Sequence, residues 1–323
     1  MIKNVLITGG GGFLGSHLAE YFLKQNQRII CVDNFCTGWR PNKSYLESIG
    51  QKNLFFVEAD VTQEWDNWIS QVPPNILTDV THVFHLASAA SPCHYQRLPL
   101  ETMWANSRGL QFAIEQADRL GAKVVFASTS EIYGDPHTSP QKESDWGNVN
   151  SFGPRACYDE SKRFGEALIY SSNQKNKSRH GLVRIFNTYG PRMHHEDGRV
   201  IVNFMKQVIA KKDLTIYGSG RQTRSFCYVS DLIEGLVQYA RKDLDFPVNL
   251  GNDQEISILE LVDLLRKKIF IDQKISIVHQ PPVTDEPVQR CPDLALARKH
   301  LAPWTPKVSL QDGLLLMRDW LLQ

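Results

Sequence analysis

Six apolar stretches, each about the length of one strand and none with a polar face, recur along the first part of the chain. They are VLIT (5–8), RIICVD (28–33), LFFVEAD (54–60), THVFHLAS (81–88), KVVFAST (123–129) and GLVRIF (181–186). A strand with one wet face alternates apolar and polar residues, whereas a run that is apolar throughout must be covered on both sides. Helical patterns separate several of these runs. Phe13, Leu14, Leu18, Tyr21 and Phe22 share one face within 13–25, and further helices are expected around 101–120 and 155–176. Strands and helices in this alternation specify an α/β fold, a doubly wound parallel sheet with helices on both faces.

After Gly190 the texture changes. Loops rich in Gly, Arg and His alternate with helical patterns near 200–211, 230–242 and 257–268, and a PP and DEP segment (281–287) leads to a last amphipathic helix at 309–322. The expectation is a smaller C-terminal substrate-binding lobe laid against the strand ends, with the ligand cleft between the two parts.

TGGGGFLGSHL places Gly9, Gly12 and Gly15 between the first strand and the first helix. Glycines there permit a tight turn and let backbone approach a pyrophosphate, whose charge sits at the helix N-terminus. Asp33 closes the second strand, where an acid accepts hydrogen bonds from a ribose 2′-OH and repels a 2′-phosphate. The expected cofactor is therefore NAD rather than NADP, on a Rossmann-type sheet. Asp60, read as closing the third strand, is placed to reach the adenine. The division expected is 1–186, with 226–250 returning to it, as the NAD-binding domain, and 187–225 with 251–323 as the substrate lobe.

CYDESKRFGEA (157–167) puts Tyr158 and Lys162 four residues apart, on one helical face. A lysine beside a phenol favours the phenolate and is expected to lower the tyrosine pKa toward a working value. Alone, the pair could be an exposed i,i+4 contact. Upstream, however, Thr129, Ser130 and Glu131 stand where the fifth strand ends, at the carboxyl edge that also carries the glycine turn. A plain polar turn would account for three such side chains, but together with Tyr158 and Lys162 they form a Ser/Tyr/Lys hydride-transfer site.

The totals exclude other classes. With 36 basic and 35 acidic residues among 323, the net charge of +1 gives no global pull toward nucleic acid or an anionic membrane. No apolar run approaches spanning length, and MIKNVLITGG begins a strand at once, so no signal peptide is expected. Six scattered cysteines without a CxxC fit a reducing, cytoplasmic setting. His194 and His195 are adjacent, a spacing poorly suited to chelation, and no metal is expected.

HLASAASP (85–92), ASTSEIYGDP (127–136), GPRACYDESKR (153–163), RIFNTYGPRM (184–193), DGRVIVNF (197–204), YGSGRQTRSFCYVSD (217–231) and VNLGN (248–252) together resemble the extended short-chain dehydrogenase/reductases acting on nucleotide sugars. This is the NAD-dependent epimerase/dehydratase family, and within it the likeness is to the UDP-glucuronate decarboxylases. The resemblance implies that Tyr158, assisted by Lys162, deprotonates the sugar 4-OH while NAD takes the C4 hydride. Carbon dioxide then leaves from C6, and re-reduction yields UDP-xylose. It implies that Thr129 and Ser130 hold the C4 oxygen and that Glu131 handles a proton or orders water at C5. Arg290 would lie near the substrate carboxylate, though Cys291 replaces the usual basic neighbour. Nucleotide and diphosphate contacts are implied for Asn187, Arg199, Val200, Tyr217 and Arg224. For the cofactor they are implied for Phe13, Leu14, Asn34, Thr37, Gly38, Val61, Leu86, Ala87, Ser88 and Thr188. A homodimer is also implied, paired through the helix that bears Tyr158 and its neighbour.

Related 4,6-dehydratases read Thr-Asp-Glu where this chain reads Thr129-Ser130-Glu131, and most 4-epimerases have a small or apolar residue at position 131. A 4-epimerase or 4,6-dehydratase on a related substrate remains the second reading, and a redox-silent NAD-binding sensor the third. The chain departs from the decarboxylase pattern at Trp104-Ala105-Asn106, where Lys-Thr-Asn is common, at Ala89, where proline is usual, and at Ser172, where tyrosine is frequent. The Trp104 change bears on which nucleotide sugar the pocket takes.

Overall fold

The structure is a computed structural model describing residues 2–283, 285 and 287–323. Thr284 and Glu286, within the PP and DEP segment, lie outside the described residues. The six apolar runs form strands β1 (Asn4–Thr8), β2 (Ile29–Asp33), β3 (Leu54–Glu58), β4 (Val80–His85), β5 (Lys123–Thr129) and β6 (Gly181–Ile185). They lie in the order β3-β2-β1-β4-β5-β6, and a further strand, Val248–Leu250, extends the sheet beyond β6. All neighbours are parallel, with Val5 opposite Ile29, Ile7 opposite Phe84 and Thr129 opposite Ile185.

Packing explains why these runs are apolar throughout. Along β1 and β2 the side chains alternate between two cores. Val5, Ile7, Ile29 and Cys31 join a cluster with Leu18 and Phe22 of α1 (Phe13–Leu23), while Leu6, Ile30 and Val32 join Trp65, Leu110 and Ile114 on the other face. Neither face is wet, which is the doubly wound arrangement the pattern predicts. The third strand ends earlier than expected. It stops at Glu58, and the Asp60 carboxylate lies beyond it, accepting from the Thr62 backbone N–H and hydroxyl, 2.8 Å each. This local turn competes with the ladder and terminates the strand. The fourth strand likewise stops at His85, leaving Leu86 to Ser88 in the loop. The helix expected over 101–120 runs from Pro99 to Leu120, with one π-helical turn at Ala105–Gly109 between Pro99–Trp104 and Leu110–Leu120.

The chain after β6 alternates between sheet and lobe. The helix Val229–Arg241 packs on α1 before Val248–Leu250 joins the sheet. Around the site, strand Thr223–Ser225 lies between Glu255–Ser257 and Gln289–Arg290, and Leu214–Tyr217 pairs with Ile277–Gln280. Among the described residues no helix is long and apolar enough to cross a membrane.

Phe84 on β4 is fully buried and contacts Phe22 at a ring distance of 5.6 Å. Phe84→Ala should cost about 3–5 kcal/mol, because transfer energy is lost and a cavity remains between sheet and α1; the urea midpoint checks this, and an unchanged midpoint would refute it.

Candidate active site

The chain leaves β1 with β2 on one side and β4 on the other, so the loops after β1 and β4 diverge and open a crevice at the carboxyl edge. A cavity of about 770 Å³ occupies it. At its floor the glycine turn is held by backbone crowding. Gly9 has φ +75°, and a Cβ on Gly15 would lie 2.0 Å from the Gly9 carbonyl oxygen. Only glycine fits that approach. The Gly12 N–H donates to the Gly9 carbonyl at 3.0 Å, and α1 starts at Phe13 with no side chain capping it, so its first N–H groups remain for a ligand at the cavity.

Asp33 is buried at the end of β2, its carboxylate accepting the backbone N–H of Gly11 (2.9 Å) and of Phe35 (2.8 Å). Burial raises its pKa, and these backbone donors partly offset that. A Cβ on Gly38 would meet Asp33 Oδ1 at 2.6 Å, so the loop is moulded around the acid. The guanidinium of Arg40, in the following helix, is committed to Glu58 (2.6 and 3.0 Å). A fixed acid and an occupied cation suit a ribose diol and not a 2′-phosphate. These donors and the crowded turn fit NAD.

Every residue expected at the catalytic, cofactor or substrate positions lines this one cavity. Gly9, Gly12, Phe13, Leu14 and Gly15 come from the first turn; Asp33, Asn34, Thr37 and Gly38 follow β2; Asp60 and Val61 follow β3. Leu86, Ala87 and Ser88 follow β4, Asn187 and Thr188 follow β6, and Thr129 to Glu131 stand at the end of β5. Tyr158 and Lys162 project from the helix Ala156–Asn176. Arg199, Val200, Tyr217, Arg224 and Arg290 enter from the opposite wall. The open α/β sheet brings these distant segments together because each follows the carboxyl end of a strand or faces that edge.

The chemistry at Tyr158 differs from the expectation in one respect. Burial pushes the phenol up to about 12, against a lowering by the hydrogen bond with Thr129. Burial also lowers Lys162 to about 7. Its ammonium donates to the Ala127 carbonyl (2.7 Å) and lies 5.8 Å from the Tyr158 ring centre. In this enclosed site, desolvation outweighs the lysine's charge, so a lysine four residues away does not by itself produce a low-pKa tyrosine.

Glu131 is the reverse case. Burial would raise its pKa, but Arg290, Arg155 and Arg224 hold it below the usual carboxylate range. Its Oε2 accepts from Arg155 and from Arg290 (3.1 Å). Arg290, 2% exposed, also donates to the Ser130 and Gly134 carbonyls, so it grips the turn that carries Ser130 and Glu131. Arg199 is paired with Asp197, and Arg224 donates to the Thr223 carbonyl.

Three neighbours escaped the sequence reading. Arg155 lies three residues before Tyr158 on the same helical approach, a spacing that could have signalled it. Asp159 is raised to about 7, first by burial and then by Glu131. Tyr95, fully buried, stacks on Tyr158 with centroids 5.1 Å apart and planes at 7°; nothing local in HYQRL announces that contact. Trp104 is 54% exposed at the cavity edge, not packed into the core.

Fold and side chains together define a dinucleotide-dependent enzyme site with a buried tyrosine–lysine pair beside strand-end hydroxyls. The chain belongs to the NAD dependent epimerase/dehydratase family, which matches residues 5–251. It is 42% identical over 312 residues to UDP-glucuronic acid decarboxylase 1 of Xenopus tropicalis, covering 97% of this chain and 70% of the relative. With UDP-glucuronic acid decarboxylase 6 of Arabidopsis thaliana it shares 41% over 317 residues, 98% of this chain and 88% of the relative. Among solved structures it resembles a UDP-glucose 4-epimerase with UDP-glucose from Thermotoga maritima, with a TM-score of 0.88 and 25% identity, covering 99% of this chain and 98% of that one. It also resembles the UDP-glucuronic acid 4-epimerase of Bacillus cereus in complex with UDP-glucuronic acid and NAD, with a TM-score of 0.84 and 25% identity, covering 99% of each.

Because the folded-state pKa of Lys162 lies near 7, below its ordinary 10.5, the unfolded chain binds this proton more tightly. Unfolding free energy of the cofactor-free protein should therefore rise with pH between those values, this group contributing at most about 1.4 kcal/mol per pH unit. Lys162→Met should flatten that slope in urea titrations from pH 7 to 10; an unchanged slope would show that Lys162 is not the depressed group.

Proposed function

We propose that the chain is an NAD-dependent UDP-glucuronate decarboxylase, converting its substrate to UDP-xylose and carbon dioxide. Bound NAD supplies a C4 hydride acceptor that later returns the hydride. Tyr158, as the phenolate, takes the proton of the 4-OH, and Thr129 and Ser130 hold the C4 oxygen. Lys162, held beside the tyrosine by the Ala127 carbonyl, favours that phenolate by its positive charge when protonated. The C4 ketone lies β to the C6 carboxylate, so carbon dioxide leaves with its electrons delocalised into that ketone. Glu131 stays anionic between Arg155 and Arg290, and acts by ordering water at C5 rather than as an acid.

That guanidinium pair is the observation carrying the reading. Dehydration needs a neutral acid to protonate the departing 6-OH, whereas position 130 is a serine and Glu131 is kept as a carboxylate. The identities of about 40% to named decarboxylases support the same choice. The 4-epimerase reading draws on the structural neighbours and keeps the same roles for Tyr158 and Lys162.

We assign 1–186, with 226–250, to NAD binding and 187–225 with 251–323 to the substrate, whose nucleotide would meet Asn187, Arg199, Val200, Tyr217 and Arg224. Exposed Leu100 and Trp104 on one helix, with Phe164 and Tyr170 on Ala156–Asn176, support pairing of two copies through these helices. Six free thiols support a cytoplasmic setting.

Incubation with UDP-glucuronate and NAD should release carbon dioxide and form UDP-xylose; formation of UDP-galacturonate without carbon dioxide would replace this reading by epimerisation. Tyr158→Phe should lower turnover by about a hundredfold or more while NAD affinity, read by fluorescence titration, stays near wild type. Retained turnover would remove Tyr158 as the base.

A further inference from the structure

Asp159, in the first turn of the helix Ala156–Asn176, is used by none of the steps above and is 5% exposed. Its Oδ1 is buried without a hydrogen-bond partner. Its Oδ2 stands 3.8 Å from Arg155 Nε, an ion-pair distance too long for a hydrogen bond. A buried carboxylate ordinarily collects donors, because a desolvated charge that has none is costly. The surroundings of Asp159 are those of a neutral acid. Burial first, and then the charge of Glu131, raise its pKa to about 7.

Arg155 connects this acid to the site. Its Nη2 donates to Glu131 Oε2 while its Nε faces Asp159, so one guanidinium lies between two carboxylates. The other groups that act on Asp159, or that its charge acts on, are Arg290, Glu160, the Cys157 thiol and the phenols of Tyr95 and Tyr158. Both guanidiniums already close on Glu131, and Glu160 adds a further negative charge. An ionised Asp159 therefore competes with Glu131 for Arg155, whereas a protonated one leaves Arg155 to Glu131 alone.

We propose that Asp159 is a positioning residue: carrying its proton it leaves Arg155 committed to Glu131, and on losing that proton it draws the guanidinium away from the carboxylate that orders water at C5. Its effect on turnover rests on the decarboxylation proposed above; its coupling to Glu131 does not. Asp159 is neutral below about pH 7 and charged above it, so Glu131 is held more firmly on the acid side.

The coupling is read on the NAD-loaded protein without sugar nucleotide, titrated from pH 6 to 8.5 by difference infrared spectroscopy. A neutral-carboxyl band should disappear across this range in the wild type and be missing from Asp159→Asn. In Glu131→Gln it should titrate at lower pH, since removing one charge eases ionisation of its neighbour. Circular dichroism checks that both variants keep the wild-type fold. Turnover of UDP-glucuronate is then followed over the same range in wild type and Asp159→Asn, whose amide cannot ionise. The variant-to-wild-type ratio of kcat cancels the titrations of Tyr158 and Lys162, which both proteins share, and should rise by about fivefold or more from pH 6 to 8.5. A merely structural role leaves that ratio flat, and a flat ratio with carbon dioxide still released would overturn the positioning role. A band that survives in Asp159→Asn, or whose midpoint is unmoved in Glu131→Gln, would overturn the coupling. If the wild type releases no carbon dioxide, the proposed reaction fails, and the infrared titration still decides whether Asp159 is coupled to Glu131.

Discussion

The catalytic cavity depends on the splitting of the chain at β1. With β2 on one side and β4 on the other, no loop can cover the crevice between Thr8 and His85 without crossing the connection that created it. His85 spans the split. One ring nitrogen meets the Thr8 hydroxyl at 3.0 Å, and the other meets the Ala105 carbonyl at 3.0 Å, joining two strand ends to the π-helical turn at the cavity edge. Burial drives this imidazole down to about 3, so it stays neutral and acts as a two-ended polar strut. The glycine turn then packs backbone against backbone at the one place where a side chain would block the cofactor's phosphates.

Around that frame, desolvation is the main electrostatic force, and each ionisable group of the cavity meets it differently. Lys162 and Tyr158 have few compensating charges and are pushed toward their neutral forms. Glu131 is half-buried and has Arg155 and Arg290 on one oxygen, so it remains charged. Uncompensated charge in such a place would cost several kcal/mol, so the arginines are as necessary as the glutamate. The same pairing fixes the backbone that presents Ser130, since Arg290 also holds the Ser130 and Gly134 carbonyls. Arg290 thus serves both the charge of Glu131 and the local backbone geometry.

Trp104 stands exposed at the cavity edge, and Arg155, Arg199 and Arg290, which also line the cavity, are already engaged with protein groups. Arg290 and Arg199 each retain donors beyond those used on Glu131 and Asp197.

Short-range pattern was enough to reveal much of this protein. Apolar runs separated by helical periodicity specified the parallel sheet, because burial on two faces leaves no room for polar alternation. Gly9, Gly15 and Asp33 were legible because backbone crowding and strand ends have local signatures, and Tyr158 with Lys162 because four residues make one helical turn. What followed from distant contacts was not legible. Asp60 left β3 because its own side chain closed a turn, Tyr95 reached Tyr158 across 63 positions, and Arg290 reached Glu131 across 159. The direction of the Tyr158 pKa also belonged to the tertiary structure, since desolvation depends on how completely remote segments exclude water, and no spacing in a linear chain records that.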